Sequence, residues 1–93
     1  MTKLAGFLHP DRDRAYFFTG DQYVRYNLAN DAVDPGYPKP IAGNWPGLFE
    51  SDIDAAVSWP NGHTYFFRGG EYMRFNWAES RVDDGYPRAI ADG

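Results

Sequence analysis

"YFFTGDQYVRYN" fills positions 16–27, and "YFFRGGEYMRFN" fills positions 65–76. The two stretches lie 49 positions apart, and the same shift lays Val33, Asp34, Gly36, Tyr37 and Pro38 on Val82, Asp83, Gly85, Tyr86 and Pro87 without a gap. Self-similarity at a fixed period of this length marks propellers, solenoids and related arrays, so the repeat is weighed before any motif. Within each copy a glycine-led pair, Gly20-Asp21 or Gly69-Gly70, separates two aromatic runs and supplies the positive φ of a two-residue hairpin loop. Such a loop sets Phe18 opposite Tyr23, Phe17 opposite Val24 and Tyr16 opposite Arg25. Side chains alternate along a strand, so one face carries Tyr16, Phe18, Tyr23 and Arg25 and the other carries Phe17, Val24 and Tyr26. The second copy repeats this with Tyr65, Phe67, Tyr72 and Arg74 against Phe66, Met73 and Phe75. A sheet that is apolar on both faces is predicted to be a middle layer between neighbours.

Working outward, a short apolar run precedes each hairpin, "LAGFL" at 4–8 and "IDAAV" at 53–57, and a further short strand is expected around Val33 and Val82. That makes about four strands per repeat, the usual count for a propeller blade. "GYP" at 36–38 and 85–87 reads as a turn, because glycine and proline at this spacing interrupt strands and helices alike. "NWPGLF" at 44–49 reads as one helical turn linking the copies, capped by Asn44 with Pro46 near its start.

At 93 residues the chain is a single small domain with little core to spare. It has no cysteine, which removes disulfides and cysteine-based zinc sites as sources of stability. The formal net charge is −4 and the nine basic residues are scattered, which argues against a nucleic-acid footprint. No apolar run approaches a membrane span, and "MTKLAGFLHP" has no signal-peptide pattern.

Taken together, "IDAAV", the two aromatic hairpins, "VDPGYPK" at 33–39, "VDDGYPR" at 82–88 and "WPGL" at 45–48 resemble the hemopexin-like repeats across nearly the whole chain. The resemblance implies an all-β, four-bladed β-propeller of hemopexin type, with each blade's innermost strand lining a central channel. Residues 1–49 would then be blade 1 with its linker turn, and residues 50–93 blade 2. Two blades with aromatic residues on both faces would leave large apolar surfaces in water, so closure of the ring by homodimerisation is expected. Gly93 stands at the phase of Asn44 and Met1 to Lys3 at the phase of Glu50 to Asp52, so only a "WPGLFE"-like linker is missing from the second copy. A truncated or engineered half-propeller is the alternative.

The same resemblance implies channel ions. Backbone carbonyls of Ala5 and Asp54 would hold a cation, calcium or sodium, and backbone amides of Phe7 and Ala56 would hold an anion such as chloride. Carbonyl oxygens suit a hard cation, although Ala5 stands where the family usually has aspartate. His9 and His63 could serve as axial haem ligands, but two exposed loop histidines are the plainer reading. Arg25 and Arg74 are expected to stack on Tyr16 and Tyr65. The acidic groups "DRD" at 11–13 and "DD" at 83–84 are expected to be solvated turn residues.

No cysteine nucleophile, glycine-elbow serine, phosphate-cradling loop or HExxH pattern is present, so catalysis ranks well behind binding. The leading reading is a non-enzymatic binding module that holds a protein or carbohydrate-bearing partner. The alternative is a carrier of a small ligand, haem or a polyamine. An extracellular setting rests on the family resemblance alone.

Overall fold

The computed structural model describes residues 4–9 and 13–92. Of the "DRD" stretch only Asp13 falls among them; Met1 to Lys3, Asp11 and Gly93 lie outside. The described residues form two antiparallel sheets. The first contains β1 (Ala5–Leu8), β2 (Arg14–Thr19), β3 (Gln22–Asn27), β4 (Ala32–Val33) and β5 (Lys39–Pro40). The second contains β6 (Ala55–Trp59), β7 (His63–Arg68), β8 (Glu71–Asn76), β9 (Arg81–Val82) and β10 (Arg88–Ala89), followed by a 3-10 turn at Ile90–Asp92.

The hairpin register is the one the two-residue loop dictates. Phe18 faces Tyr23, Phe17 faces Val24 and Tyr16 faces Arg25, and the second sheet repeats this with Phe67–Tyr72, Phe66–Met73 and Tyr65–Arg74. Gly20 and Gly69 take φ of 56° and 59°, the left-handed conformation that a glycine-first hairpin turn uses. The fourth strand differs from expectation, being broken into two short pieces on the outer edge. β4 pairs with the end of β3 and β5 with its beginning, and "GYP" carries the chain between them through a cis Tyr37–Pro38 bond. Blade 2 is built the same way, with a cis Tyr86–Pro87 bond.

The linker is a chain of turns rather than the expected helical turn. Leu48 N–H donates to the Trp45 carbonyl at 3.0 Å, with Pro46 and Gly47 (φ 86°) at the two central positions. Proline followed by a positive-φ glycine is the type II turn pattern, which ends any helical continuation. Asn44 does not cap a helix; its side-chain amide donates to the Pro40 carbonyl at 2.8 Å. The Pro46 carbonyl accepts from Val82 N–H at 3.0 Å, so the linker straps the outer edge of blade 2.

The core lies between the blades. Phe7, Phe18 and Tyr23 from blade 1 bury against Phe66, Met73 and Phe75 from blade 2, with the linker's Ile41, Trp45, Leu48 and Phe49 filling the seam. Trp45 is the hub, meeting Tyr16, Phe18, Tyr23 and Phe75 edge-on at 5.1–5.5 Å. Edge-to-face pairs of this kind add to the gain from burial alone. Thr64, the one fully buried polar side chain of blade 2 among the described residues, is satisfied: it accepts from the Trp77 indole at 2.8 Å and lies 3.2 Å from the Ser58 hydroxyl.

Candidate functional site

The two inner strands, β1 and β6, lie in contact across the seam. Their register corrects the repeat alignment there. Ala5 faces Phe18 while Ala55 faces Phe67, so the spacing between equivalent inner-strand residues is one more than in the hairpins. Asp54 therefore corresponds to Leu4 rather than Ala5, and Ala56 to Gly6 rather than Phe7. Ala5 and Phe7 are buried in the core, whereas Asp54 is exposed at the entrance to β6. Its backbone N–H donates to the Phe67 carbonyl at 2.8 Å, and its carboxylate accepts from Gly69 N–H at 2.7 Å.

A carboxylate clamp stands on the outer edge of each blade. Asp34 accepts from Arg25 Nε at 2.7 Å and from Arg14 Nε at 3.1 Å. Asp83 accepts from Arg74 Nε at 2.7 Å and from Asn76 at 3.1 Å, with His63 Nε2 at 3.2 Å in the place of Arg14. Hydrogen bonding from Arg25 holds the Asp34 carboxyl below its ordinary value, burial opposing it and Arg14 adding to it. Burial pushes the Asp83 carboxyl up, but hydrogen bonds from Asn76 and Arg74 and the charge of Arg74 outweigh it, so its pKa is lowered.

Two expectations are corrected at these clamps. The guanidinium groups of Arg25 and Arg74 lie over Tyr37 and Tyr86, at 5.3 Å and 5.5 Å, rather than over Tyr16 and Tyr65. The "GYP" turn folds its tyrosine back over the sheet, where it claims the cation. Asp83 is an anchor and not a solvated turn residue, while its neighbour Asp84 is exposed and pairs with Arg81. "VD" occupies the same phase in both repeats, but the basic partners of Asp34 and Asp83 lie on other strands, so local spacing does not pair them.

The histidines have separate duties. His9 packs edge-on to Trp77 with ring centroids 4.5 Å apart. His63 belongs to the Asp83 clamp, and its Nδ1 lies 3.2 Å from the Asn61 carbonyl. Among the described residues no group of three or more His, Cys, Asp or Glu side chains could hold a metal.

Each blade also has a face that the other does not cover. In blade 1 the Phe7 side is packed, with Phe7 7% exposed, while its equivalent Val57 in blade 2 is 44% exposed. On the reverse side the relation inverts: Val82 in blade 2 is 5% exposed and its equivalent Val33 in blade 1 is 46% exposed. The open face of blade 2 forms an apolar hollow of about 380 Å³ walled by Val57, Trp59, Tyr65 and Phe67.

The hemopexin family model matches residues 5–48 and 53–93, one segment on each blade. The chain belongs to the hemopexin family. Human neutrophil collagenase is 48% identical over 44 residues, which is 47% of this chain and 9% of that protein. Horse stromelysin-1 is 38% identical over 52 residues, covering 56% of this chain and 11% of that protein. The stretch shared with these relatives is thus about a tenth of their length. Among solved structures, a 2S albumin seed protein from Dolichos superposes with a TM-score of 0.78 at 27% identity, over 95% of this chain and 43% of that one. A plant lectin with two metal binding sites from Cicer arietinum gives a TM-score of 0.76 at 26% identity, over 95% of this chain and 42% of that one. No helix among the described residues is long and apolar enough to cross a membrane.

Proposed function

We propose that this hemopexin-type chain is a non-enzymatic binding module that pairs with a second copy of itself to close a four-bladed propeller. The carrying observation is the complementarity of its free faces. The open side of blade 2, with Val57, Trp59 and Phe67, repeats the side of blade 1 that is already packed. The open side of blade 1, with Leu8, Val24 and Val33, repeats the side of blade 2 that is already packed. A second copy turned about a two-fold axis offers each free face its matching partner twice, a closed arrangement that leaves no apolar face in water. Two Asp54 entrances would then face one channel, where their oxygen atoms suit calcium or sodium as a structural pin.

Light scattering across a dilution series, with calcium and with chelator, tests the pairing. A mass of two chains is expected, reduced to one by Trp59→Asp, because Trp59 is 58% exposed on the face to be buried. A compact monomer at every concentration overturns the proposal. Loss of the dimer on chelation would place the ion among the forces that hold it.

A further inference from the structure

The hollow of about 380 Å³ on the open face of blade 2 has a filled counterpart in blade 1. Strand pairing sets Val57 opposite Tyr65 as it sets Phe7 opposite Tyr16, and Phe67 and Trp59 correspond in the same way to Phe18 and His9. In blade 1 this surface is covered by the indole of Trp45, whose ring centroid lies 5.2 Å from those of Tyr16 and Phe18 and 6.2 Å from that of Phe7. In blade 2 no described residue corresponds to Trp45, and Val57 and Trp59 are 44% and 58% exposed.

Pairing of two sheets does not by itself fill such a surface. Within the chain the blades already face each other, yet the space between them holds Trp45, whose far side meets Phe75 at 5.1 Å and Trp77 at 5.7 Å. The open face of blade 1, which closure of the ring would bring against the hollow, carries Tyr26 and Leu28 in the places of Phe75 and Trp77. Leucine is smaller than tryptophan, so that seam keeps room for an indole. The linker also presses on the outer edge of the neighbouring blade: Val82 is 5% exposed beneath Gly47, while its counterpart Val33 is 46% exposed. A second segment of the linker's kind would match both bare places, the hollow of one chain and Val33 of the next. Charge agrees, since none of the four residues walling the hollow is charged and neither is any residue of "NWPGLF" at 44–49.

We infer that the hollow of blade 2 binds the indole of a tryptophan carried on an uncharged Pro-Gly turn, the chemistry of residues 44–49, and so accepts a linker-type segment of a partner chain. Edge-to-face contacts with Tyr65 and Phe67 would repeat those that Trp45 makes with Tyr16 and Phe18. This deepens the binding-module reading by giving it a ligand class, and it rests on that reading only for the second wall of the site, which ring closure supplies.

The test adds the capped, unlabelled hexapeptide NWPGLF to the ¹⁵N-labelled full chain and follows the Trp59 indole and Val57 amide signals, with the same peptide carrying Trp45→Ala as comparison. Changing the peptide leaves the fold of the protein untouched. A saturable shift of both signals at millimolar peptide is expected, the Trp77 indole in the filled seam staying still. The Trp45→Ala peptide should bind at least about 10-fold more weakly, because a buried aromatic anchor carries much of such an interface. No shift at millimolar peptide, or equal binding of the two peptides, overturns the assignment. Light scattering on the same samples separates this site from ring closure. Peptide bound to a mass of two chains supports both, peptide bound to a single chain keeps the indole site and overturns closure, and a dimer that ignores the peptide does the reverse.

Discussion

Asp83 lies 2.7 Å from Arg74 and 3.2 Å from His63, whereas its counterpart Asp34 lies 2.7 Å from Arg25 and 3.1 Å from Arg14. One clamp is closed by two permanent cations and the other by a guanidinium and an imidazole. Since arginine keeps its charge at any pH the fold survives, the first blade holds its outer edge with the more robust pair.

Replacing His63 by arginine should therefore copy the blade 1 clamp into blade 2. At pH 8 His63→Arg is expected to raise the melting temperature by about 1–5 °C, the range an added partly exposed ion pair gives in a small domain. His63→Ala should lower it. Equal melting temperatures for all three proteins would show that the 3.2 Å contact contributes nothing.

Acid should open both clamps. The Asp34 and Asp83 carboxyls have folded pKa values below the ordinary carboxylate range. Their contribution is therefore complete above the unfolded value of about 4 and is lost as the pH falls through the lower folded values. A thermal-melt series from neutral to strongly acidic pH should fall steeply below about pH 4. In Asp34→Asn with Asp83→Asn the curve should start lower and be flatter there. An acid limb unchanged in the double variant would assign acid lability to other carboxylates.

The hairpin pairing and the blade repeat were legible from sequence because a two-residue loop and strict alternation leave one register. The split outer edge was not, since a strand of two residues carries too little pattern to be seen beside "GYP". The linker misled for a chemical reason: asparagine before Trp-Pro resembles a helix cap, yet Gly47 at positive φ converts the segment to a type II turn. The inner-strand correspondence shifted because the chain from Leu8 to its partner Ala15 is one residue longer than the chain from Ser58 to its partner Thr64, which an ungapped comparison of the hairpins cannot reveal. At the clamps Arg25 and Arg74 were expected to stack on the tyrosines opposite them in the hairpin, and His63 to be an exposed loop residue, because the carboxylate and tyrosine partners lie across the sheet edge, beyond what local spacing can pair.

Alkali should act on the seam. Tyr23 is pushed up to about 12, by burial first and then by its hydrogen bond with Tyr37 and the nearby charges of Tyr37 and Tyr16. A folded pKa above the unfolded one gives stability that is complete below about pH 10 and is lost as the pH rises through about 12. Phenolate absorbance should show a late-ionising phase, to which Tyr16 and Tyr26, also raised, contribute, and its last part, together with loss of near-ultraviolet ellipticity, should be reduced by Tyr23→Phe. A titration with no late tyrosine would mean that water reaches the seam.

The linker strap can be tested at Gly47. Its φ is 86°, and a Cβ built there would sit 3.0 Å from Val82 Cβ, on the edge that the Pro46 carbonyl ties through Val82 N–H. Gly43 has a nearly equal φ of 82° with open space around it, so it carries the backbone strain without the crowding. Gly43→Ala is expected to cost about 1 kcal/mol and Gly47→Ala about 2–4 kcal/mol by denaturant unfolding. The difference measures how firmly the linker and the Val82 edge are pressed together. Equal costs would show that blade 2 yields at this contact, and that the linker restrains the blades through Trp45 rather than through Pro46.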